Sequence, residues 1–224
     1  MFIIPCRFDP ERPIIFECVS RIKKYHPNDK ITVVDSDSID KSYIQTLRNV
    51  FDVIVLDVQN RNYATAGYYI GFSEYSDEEF YYMIHDSLLL NRNISHIETN
   101  DFTTVRHFRT PDTGWGWDQD GVNLSEWADI QMQLHMNMRV WNQFTGILGP
   151  MFMAKNVVIK KLIDSGFFKI LPENKYHLCA MERIAGMALQ HCGYDPSNSF
   201  QGEMFDFFAK YDETYVEKVF QLRP

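Results

Sequence analysis

The sequence predicts an α/β protein, a single domain built on a mostly parallel twisted sheet flanked by helices, and three observations predict it. Strand-like and helix-like hydrophobic periods alternate through the first hundred residues, which implies βαβ units with right-handed crossovers. The run Phe80-Tyr81-Tyr82-Met83-Ile84 is continuously apolar, as expected of a parallel strand covered on both faces. It ends abruptly in His85-Asp86-Ser87, and open α/β sheets bind ligands in the crevice beyond the carboxyl ends of their strands.

Phe2-Ile3-Ile4 reads as the first strand, and Asp9-Pro10-Glu11-Arg12-Pro13 supplies turn and helix-start signals. A helix over residues 13–25 would bury Ile15, Cys18, Val19 and Ile22 on one face. Ile31 to Val34 is the next strand, ending at Asp35-Ser36-Asp37-Ser38, and a helix over 40–50 would bury Ile44, Leu47 and Val50. Val53 to Leu56 forms a third strand, and Asn62 to Phe72, with Ala64, Ala66 and Gly67, suits a helix packed closely on a ligand or neighbour. The strand at 80–84 follows. Residues 98–125 read as a long loop, and the run Thr113 to Gly121 carries Trp115 and Trp117; long loops in compact domains are commonly functional, and two tryptophans argue against disorder. A helix over 125–137, an apolar segment Phe144 to Ala154, a helix from Asn156 to Ser165 stopped at Gly166, and a last helix over 176–191 with Glu182 near its start complete the pattern. The methionines at 132, 136, 138, 151 and 153 read as core filler.

Composition excludes several classes. The chain has 224 residues, 45% of them apolar, and 22 Lys+Arg against 30 Asp+Glu leave a net charge of −8. That balance disfavours binding to nucleic acid or an anionic membrane surface, so an anionic ligand would need local help from a metal ion or from Arg7 and Arg61. No window is apolar for long enough to span a membrane, and the start Met1-Phe2-Ile3-Ile4-Pro5-Cys6 has no signal-peptide pattern. Cys6, Cys18, Cys179 and Cys192 have no paired spacing, which predicts reduced thiols and a cytoplasmic setting. The spacing of His177, Cys179, His191 and Cys192 matches no common structural-zinc pattern.

Asp86 is the first candidate for function. A carboxylate at a strand end suits a hard divalent cation, Mg²⁺ or Mn²⁺, with His85 and Ser87 adding polar groups at the same edge; capping of a following helix or turn is the competing role. Trp115 and Trp117 suit stacking on the C–H faces of a sugar while Asp118 or Asp120 accepts hydroxyl hydrogen bonds, with core packing as the alternative. Asp35 reads either as a nucleotide contact or as part of an ordinary Asp-Ser turn.

In order, Pro5-Cys6-Arg7, Val34-Asp35-Ser36-Asp37-Ser38, Asn60 to Gly67, Ile84-His85-Asp86-Ser87, Gly149 to Ala154 and Met181-Glu182-Arg183 resemble the landmarks of a GT-A type glycosyltransferase. The short chain and the His-Asp-Ser turn are more narrowly similar to capsid-glycan transferases of large DNA viruses. The resemblance implies a nucleotide-sugar-binding half over residues 1–95 and an acceptor-binding half over 96–224. It implies a nucleotide-sugar donor, in particular a uridine diphosphate sugar, met by Pro5, Cys6, Arg7, Asp35, Arg61, Ala66, Gly67, His85 and Ser87. It further implies a divalent metal at Asp86, a carbohydrate acceptor near Trp115, Trp117 and Asp118, and Glu182 as the base for hexosyl or deoxyhexosyl transfer. In this family the metal motif is Asp-X-Asp. Here Ile84 or Leu88 stands where one of the two aspartates would be, so either donor phosphates, waters and a late residue such as His191 or Asp195 would complete the coordination, or the enzyme would work without a metal.

A cation between the donor phosphates would stabilise the charge that grows on the leaving group, and a carboxylate within reach of the acceptor hydroxyl would take its proton. Glu182 has a second reading, an acid in a first helical turn placed against the helix dipole. Two other functions remain open: a non-catalytic module that binds nucleotide or glycan, favoured by the missing carboxylate, and a nucleotidyl or phosphoryl transferase, disfavoured by the lack of a Gly-rich phosphate loop.

Overall fold

The computed structural model describes residues 1–109, 123–204 and 215–219. The chain forms two compact units, Met1–Thr99 with the segment from Asp212 onward, and Asn100–Tyr211.

The first unit alternates strand and helix: β1 Phe2–Cys6, α1 Ile14–Tyr25, β2 Ile31–Asp35, α2 Ser42–Phe51, β3 Ile54–Leu56, α3 Tyr63–Glu74 and β4 Phe80–Met83. The strands lie in the order β3-β2-β1-β4. All three pairings are parallel, with Ile3 opposite both Thr32 and Met83. β1, β2 and β4 are buried along their whole length, which explains their unbroken apolar runs. Helix α1 buries Ile15, Cys18, Val19 and Ile22, the stripe its spacing predicts. Helix α2 buries Tyr43, Ile44 and Leu47, but Val50 is 71% exposed, against expectation. Phe51 lies nearer the centre of that stripe and stacks on Phe16 at 6.1 Å, so the last turn packs through Phe51 and turns Val50 outward.

Gly67 shows why α3 is rich in small residues. A Cβ there would lie 2.8 Å from Cβ and Cγ of Pro5, so the helix lies against β1 itself. After β4 the chain makes a tight turn, with the Leu88 N–H donating to the His85 carbonyl at 3.0 Å, and enters a strand absent from the sequence reading, β5 Leu88–Leu90.

The second unit holds β6 Phe102–Thr104, β7 His107–Arg109, α4 Leu124–Met136, β8 Thr145–Ile147, β9 Phe152–Lys155, α5 Asn156–Asp164 and α6 Lys175–His191. β6 pairs antiparallel with β9, and β7 with β8. The expected loop over 98–125 thus contains two strands. Each is three residues long, too short to display an alternating period. The tryptophan run, with Trp115, Trp117 and Asp118, lies outside the described residues. Met132, Met136, Met138, Met151 and Met153 are all buried. Close packing of α6 on β8 depends on Gly186, where a Cβ would meet the Thr145 carbonyl oxygen at 1.8 Å.

The end of the chain returns to the first unit as β10 Val216–Lys218, antiparallel to β5 with Val216 opposite Leu90. The Val219 N–H donates to the Ser87 carbonyl at 3.0 Å, so this strand fastens the turn that carries Asp86. Among the described residues no helix is long and apolar enough to cross a membrane.

Candidate functional site

In the first unit the chain progresses β1, β2, β3 to one side and then places β4 on the other side of β1. The switch point therefore lies between β1 and β4, and parallel sheets of this kind take their ligands beyond the carboxyl ends at that point. Pro5, Cys6 and Arg7 leave β1 there, and His85, Asp86 and Ser87 leave β4 beside them. Asp35 ends the neighbouring β2, and Asn60 to Gly67 approach from α3.

Asp35 is fully buried and already engaged. Its carboxylate accepts from the Tyr43 hydroxyl at 2.7 Å, from the Ser38 N–H at 3.3 Å and from the Lys41 ammonium, which also reaches Asp57 at 2.8 Å. Burial pushes the Asp35 pKa upward, but the hydrogen bonds from Lys41, Ser38 and Tyr43 outweigh it and hold the carboxyl below its ordinary range. Asp35 is thus the keystone of the turn after β2. That turn presents Asp37, at φ +56°, to Arg61 across 2.9 Å. Buried Asn60 supports the same wall, donating to the Tyr63 carbonyl at 2.9 Å and the Ser36 hydroxyl at 3.3 Å. Arg7 is exposed, Ala66 is buried, and Cys6 is buried and in no disulfide.

No helix follows Asp86: the chain goes directly into β5, so helix capping is not its role. Asp86 is buried, with 7% of the residue exposed. The His85 ring lies over Tyr68 at 6.3 Å. Burial first, and then the charge of Asp86, push the Tyr68 phenol well above its ordinary pKa, so Tyr68 stays a neutral hydroxyl beside that carboxylate. Among the described residues no three His, Cys, Asp or Glu side chains are grouped to hold a metal. Magnesium and manganese keep several waters and take one or two carboxylates together with phosphate oxygens. The donor set at this edge fits such a cation, held by Asp86, and does not fit an all-protein cage.

In the second unit α6 begins one residue before the expected 176, where the Asn174 side chain accepts the His177 N–H at 2.9 Å and caps it; Glu182 is its eighth residue and lies in the third turn, not the first. Both the placement of Glu182 at a helix start and its first-turn dipole reading are thereby corrected. One Glu182 carboxylate oxygen accepts the Gly149 N–H at 2.8 Å, and the other faces Arg183 at 3.8 Å. Gly149 has φ +62°, so Glu182 tethers the sharp turn between β8 and β9. Arg183 is buried, donates to the Cys179 carbonyl at 2.9 Å and lies over the Phe108 ring. His191 is exposed in the last turn of α6, about 14 Å along the axis from Glu182. The acid at the true helix start is Glu173, one residue before the cap, exposed and without a hydrogen-bond or ion-pair partner through its side chain among the described residues. The Asn174 cap signal in Glu173-Asn174 could have located it from sequence.

The fold is GT-A-like. TarS of S. aureus is similar with a TM-score of 0.53 and 14% identity, over 98% of this chain and 36% of that one. Residues 1–349 of TarS in complex with UDP-GlcNAc give 0.54 at 14% identity, over 98% and 59% of the two chains. The complex of the same fragment with UDP gives 0.50 at 16% identity, over 96% and 58%. This chain therefore spans 36% to 59% of the length of the TarS chains it matches. No protein-family model and no curated protein matches the sequence.

Proposed function

We propose that this chain is a glycosyltransferase that moves a hexosyl or deoxyhexosyl group from a uridine diphosphate sugar to a carbohydrate acceptor. One observation carries the reading: the parallel-sheet switch point is walled by the Asp35 turn, the Arg61–Asp37 pair and the buried Asp86. A similar fold holds UDP-GlcNAc in TarS, which supports the choice of donor. The base would lie against the Asp35 turn, and the diphosphate would lie toward Arg7 and Asp86. A magnesium or manganese ion held by Asp86 would supply positive charge as the leaving group develops its negative charge.

In the transfer, the acceptor oxygen forms a bond to the anomeric carbon while the bond from that carbon to the diphosphate oxygen breaks. The electron pair leaves on the diphosphate, and the acceptor proton passes to a carboxylate. Glu182, the expected base, is already tied to Gly149 and Arg183. Trp115, Trp117 and Asp118 remain acceptor contacts in this proposal, as His191 remains a further metal contact. The narrower likeness to transferases of large DNA viruses stands on the His85-Asp86-Ser87 turn. Four cysteines outside any disulfide would suit a reducing compartment such as the cytoplasm.

Thermal unfolding with UDP and Mn²⁺ tests the reading. At a hundred times its dissociation constant a ligand of the folded state adds about 2.7 kcal/mol, equivalent to roughly 5–11 °C at 2–4 °C per kcal/mol for this chain length. Asp86→Asn should fold normally, lose the Mn²⁺-dependent part of that shift and lose turnover. Full Mn²⁺-dependent stabilisation in the variant would remove Asp86 from the site. The lone carboxylate at this edge favours a second reading, a nucleotide-binding module without turnover. Nucleotide stabilisation without release of UDP from UDP-GlcNAc or other UDP-sugars would establish it.

A further inference from the structure

The second unit holds a feature that the transferase reading leaves unassigned. Trp127, in the first turn of α4, stacks face to face on His177 of α6, with ring centroids 4.1 Å apart and planes 10° apart. His177 is 91% buried, with 9% of its surface exposed, while Trp127 is half-buried. The indole N–H has no acceptor among the described residues.

The His177 ring is held between two donors. Its Nδ1 receives the Glu173 N–H at 3.4 Å. Its Nε2 lies 3.4 Å from the Asn174 amide nitrogen, and that amide cannot turn round because its oxygen caps the helix. A neutral imidazole has one acceptor nitrogen and one N–H, so one of these donors always faces an N–H. Protonation would leave both mismatched, which agrees with the lowered pKa of His177, set first by burial and opposed by Glu173. The ring is therefore a neutral support that locks the indole plane. Glu173, whose backbone N–H meets this ring, is exposed, and its carboxylate makes no hydrogen bond or ion pair among the described residues.

A fixed, half-exposed indole whose edge N–H has no acceptor among the described residues, stacked on a ring that also meets the backbone of exposed Glu173, matches the needs of a pyranose ring. The sugar's C–H face covers apolar aromatic surface, and its hydroxyls find one acceptor and one donor. We infer that Trp127, backed by His177, together with Glu173 forms a carbohydrate subsite for the acceptor. This inference rests on the transferase reading for the word acceptor, but the binding it asserts does not depend on the donor edge.

The experiment titrates the full chain, with no nucleotide or metal present, with methyl β-glucoside, methyl β-galactoside, chitobiose and lactose, monitored by tryptophan fluorescence and ligand-detected NMR. At least one glycoside should bind. Trp127→Ala should weaken it 10-fold or more, Trp127→Phe less, and Glu173→Gln, a change of an exposed side chain, by about 3-fold with an unaltered melting temperature. Asp86→Asn should bind the glycoside like the parent. UDP-dependent stabilisation with no Trp127-dependent binding of any of the four glycosides overturns the subsite and leaves the transferase reading standing. Glycoside binding that depends on Trp127 in a chain without transferase turnover upholds the subsite and removes the acceptor role. Equal binding in the parent, Trp127→Ala and Glu173→Gln also overturns it.

Discussion

Replacing Glu182 by Gln and by Ala separates a proton acceptor from a structural tether. The Glu182 carboxylate accepts a charge-assisted bond from the Gly149 N–H at 2.8 Å and faces Arg183 at 3.8 Å. Glu182→Gln keeps an acceptor for Gly149 and loses only the charge, which is about the difference between a charged and a neutral hydrogen bond, roughly 1 kcal/mol. Glu182→Ala leaves the Gly149 N–H and the buried Arg183 without that oxygen, at about 1–3 kcal/mol. At 2–4 °C per kcal/mol, the alanine variant should melt roughly 2–12 °C lower and the glutamine variant a few degrees lower. If Glu182 is the tether, transferase activity per folded molecule changes less than about 10-fold in Glu182→Gln, whereas loss of a general base costs about 10² to 10⁴-fold. The assay measures melting temperature and initial rate on the same samples. A glutamine variant that melts like the parent but has lost 10²-fold or more in rate refutes the tether argument and returns the proton to Glu182.

Two further outcomes follow from packing and charge. Gly67→Ala would place a methyl 2.8 Å from the Pro5 ring; pushing α3 off β1 should cost about 1–3 kcal/mol and weaken UDP binding with it, and a variant with parental stability and affinity would refute the close approach. Stability should also fall with acid in two steps. His107 and His177 have lowered pKa values, for His107 from burial and then Arg109 against the pull of Asp195, and for His177 from burial against Glu173. Their unfolded forms take up protons first, so stability present above about pH 6.5 declines below it. Asp35 and Asp129 follow. Burial raises the Asp35 pKa but Lys41, Ser38 and Tyr43 overcome it, while Asp129 is lowered first by the Val140 N–H and also by Arg139. Their contribution is complete above about pH 4 and is lost as pH falls through the folded pKa values. Urea midpoints from pH 7.5 to 3 check this: Asp129→Asn should flatten the lower step only and His107→Gln part of the upper one, and a midpoint constant from pH 7 to 5 would refute the histidine step.

The sequence by itself determined β1 to β4 and α1 to α3 of the first unit, because a strand buried on both faces is largely apolar and a helix on a sheet must repeat every three to four residues. Ile15, Cys18, Val19 and Ile22 are legible as one face for that reason. The polar turn at His85-Asp86-Ser87 is legible too, since only a strand end brings a buried run and a carboxylate so close together. Tertiary structure alone decided which ends share an edge: pairing of β1 with β4 brings Asp86 to Pro5 across 80 residues of chain, and β10 closes on β5 from the far end. The strands β5, β6, β7, β8 and β10 are three residues long, so no local period announces them and the partner strand supplies their order. Asn174 caps α6 within two residues of the start the sequence predicts, with Glu182 two turns further on and tied to Gly149, while Glu173 is left in solvent with its backbone N–H on the His177 ring. A carboxylate's partners are set by what packs against its helix, and no spacing within the helix records them.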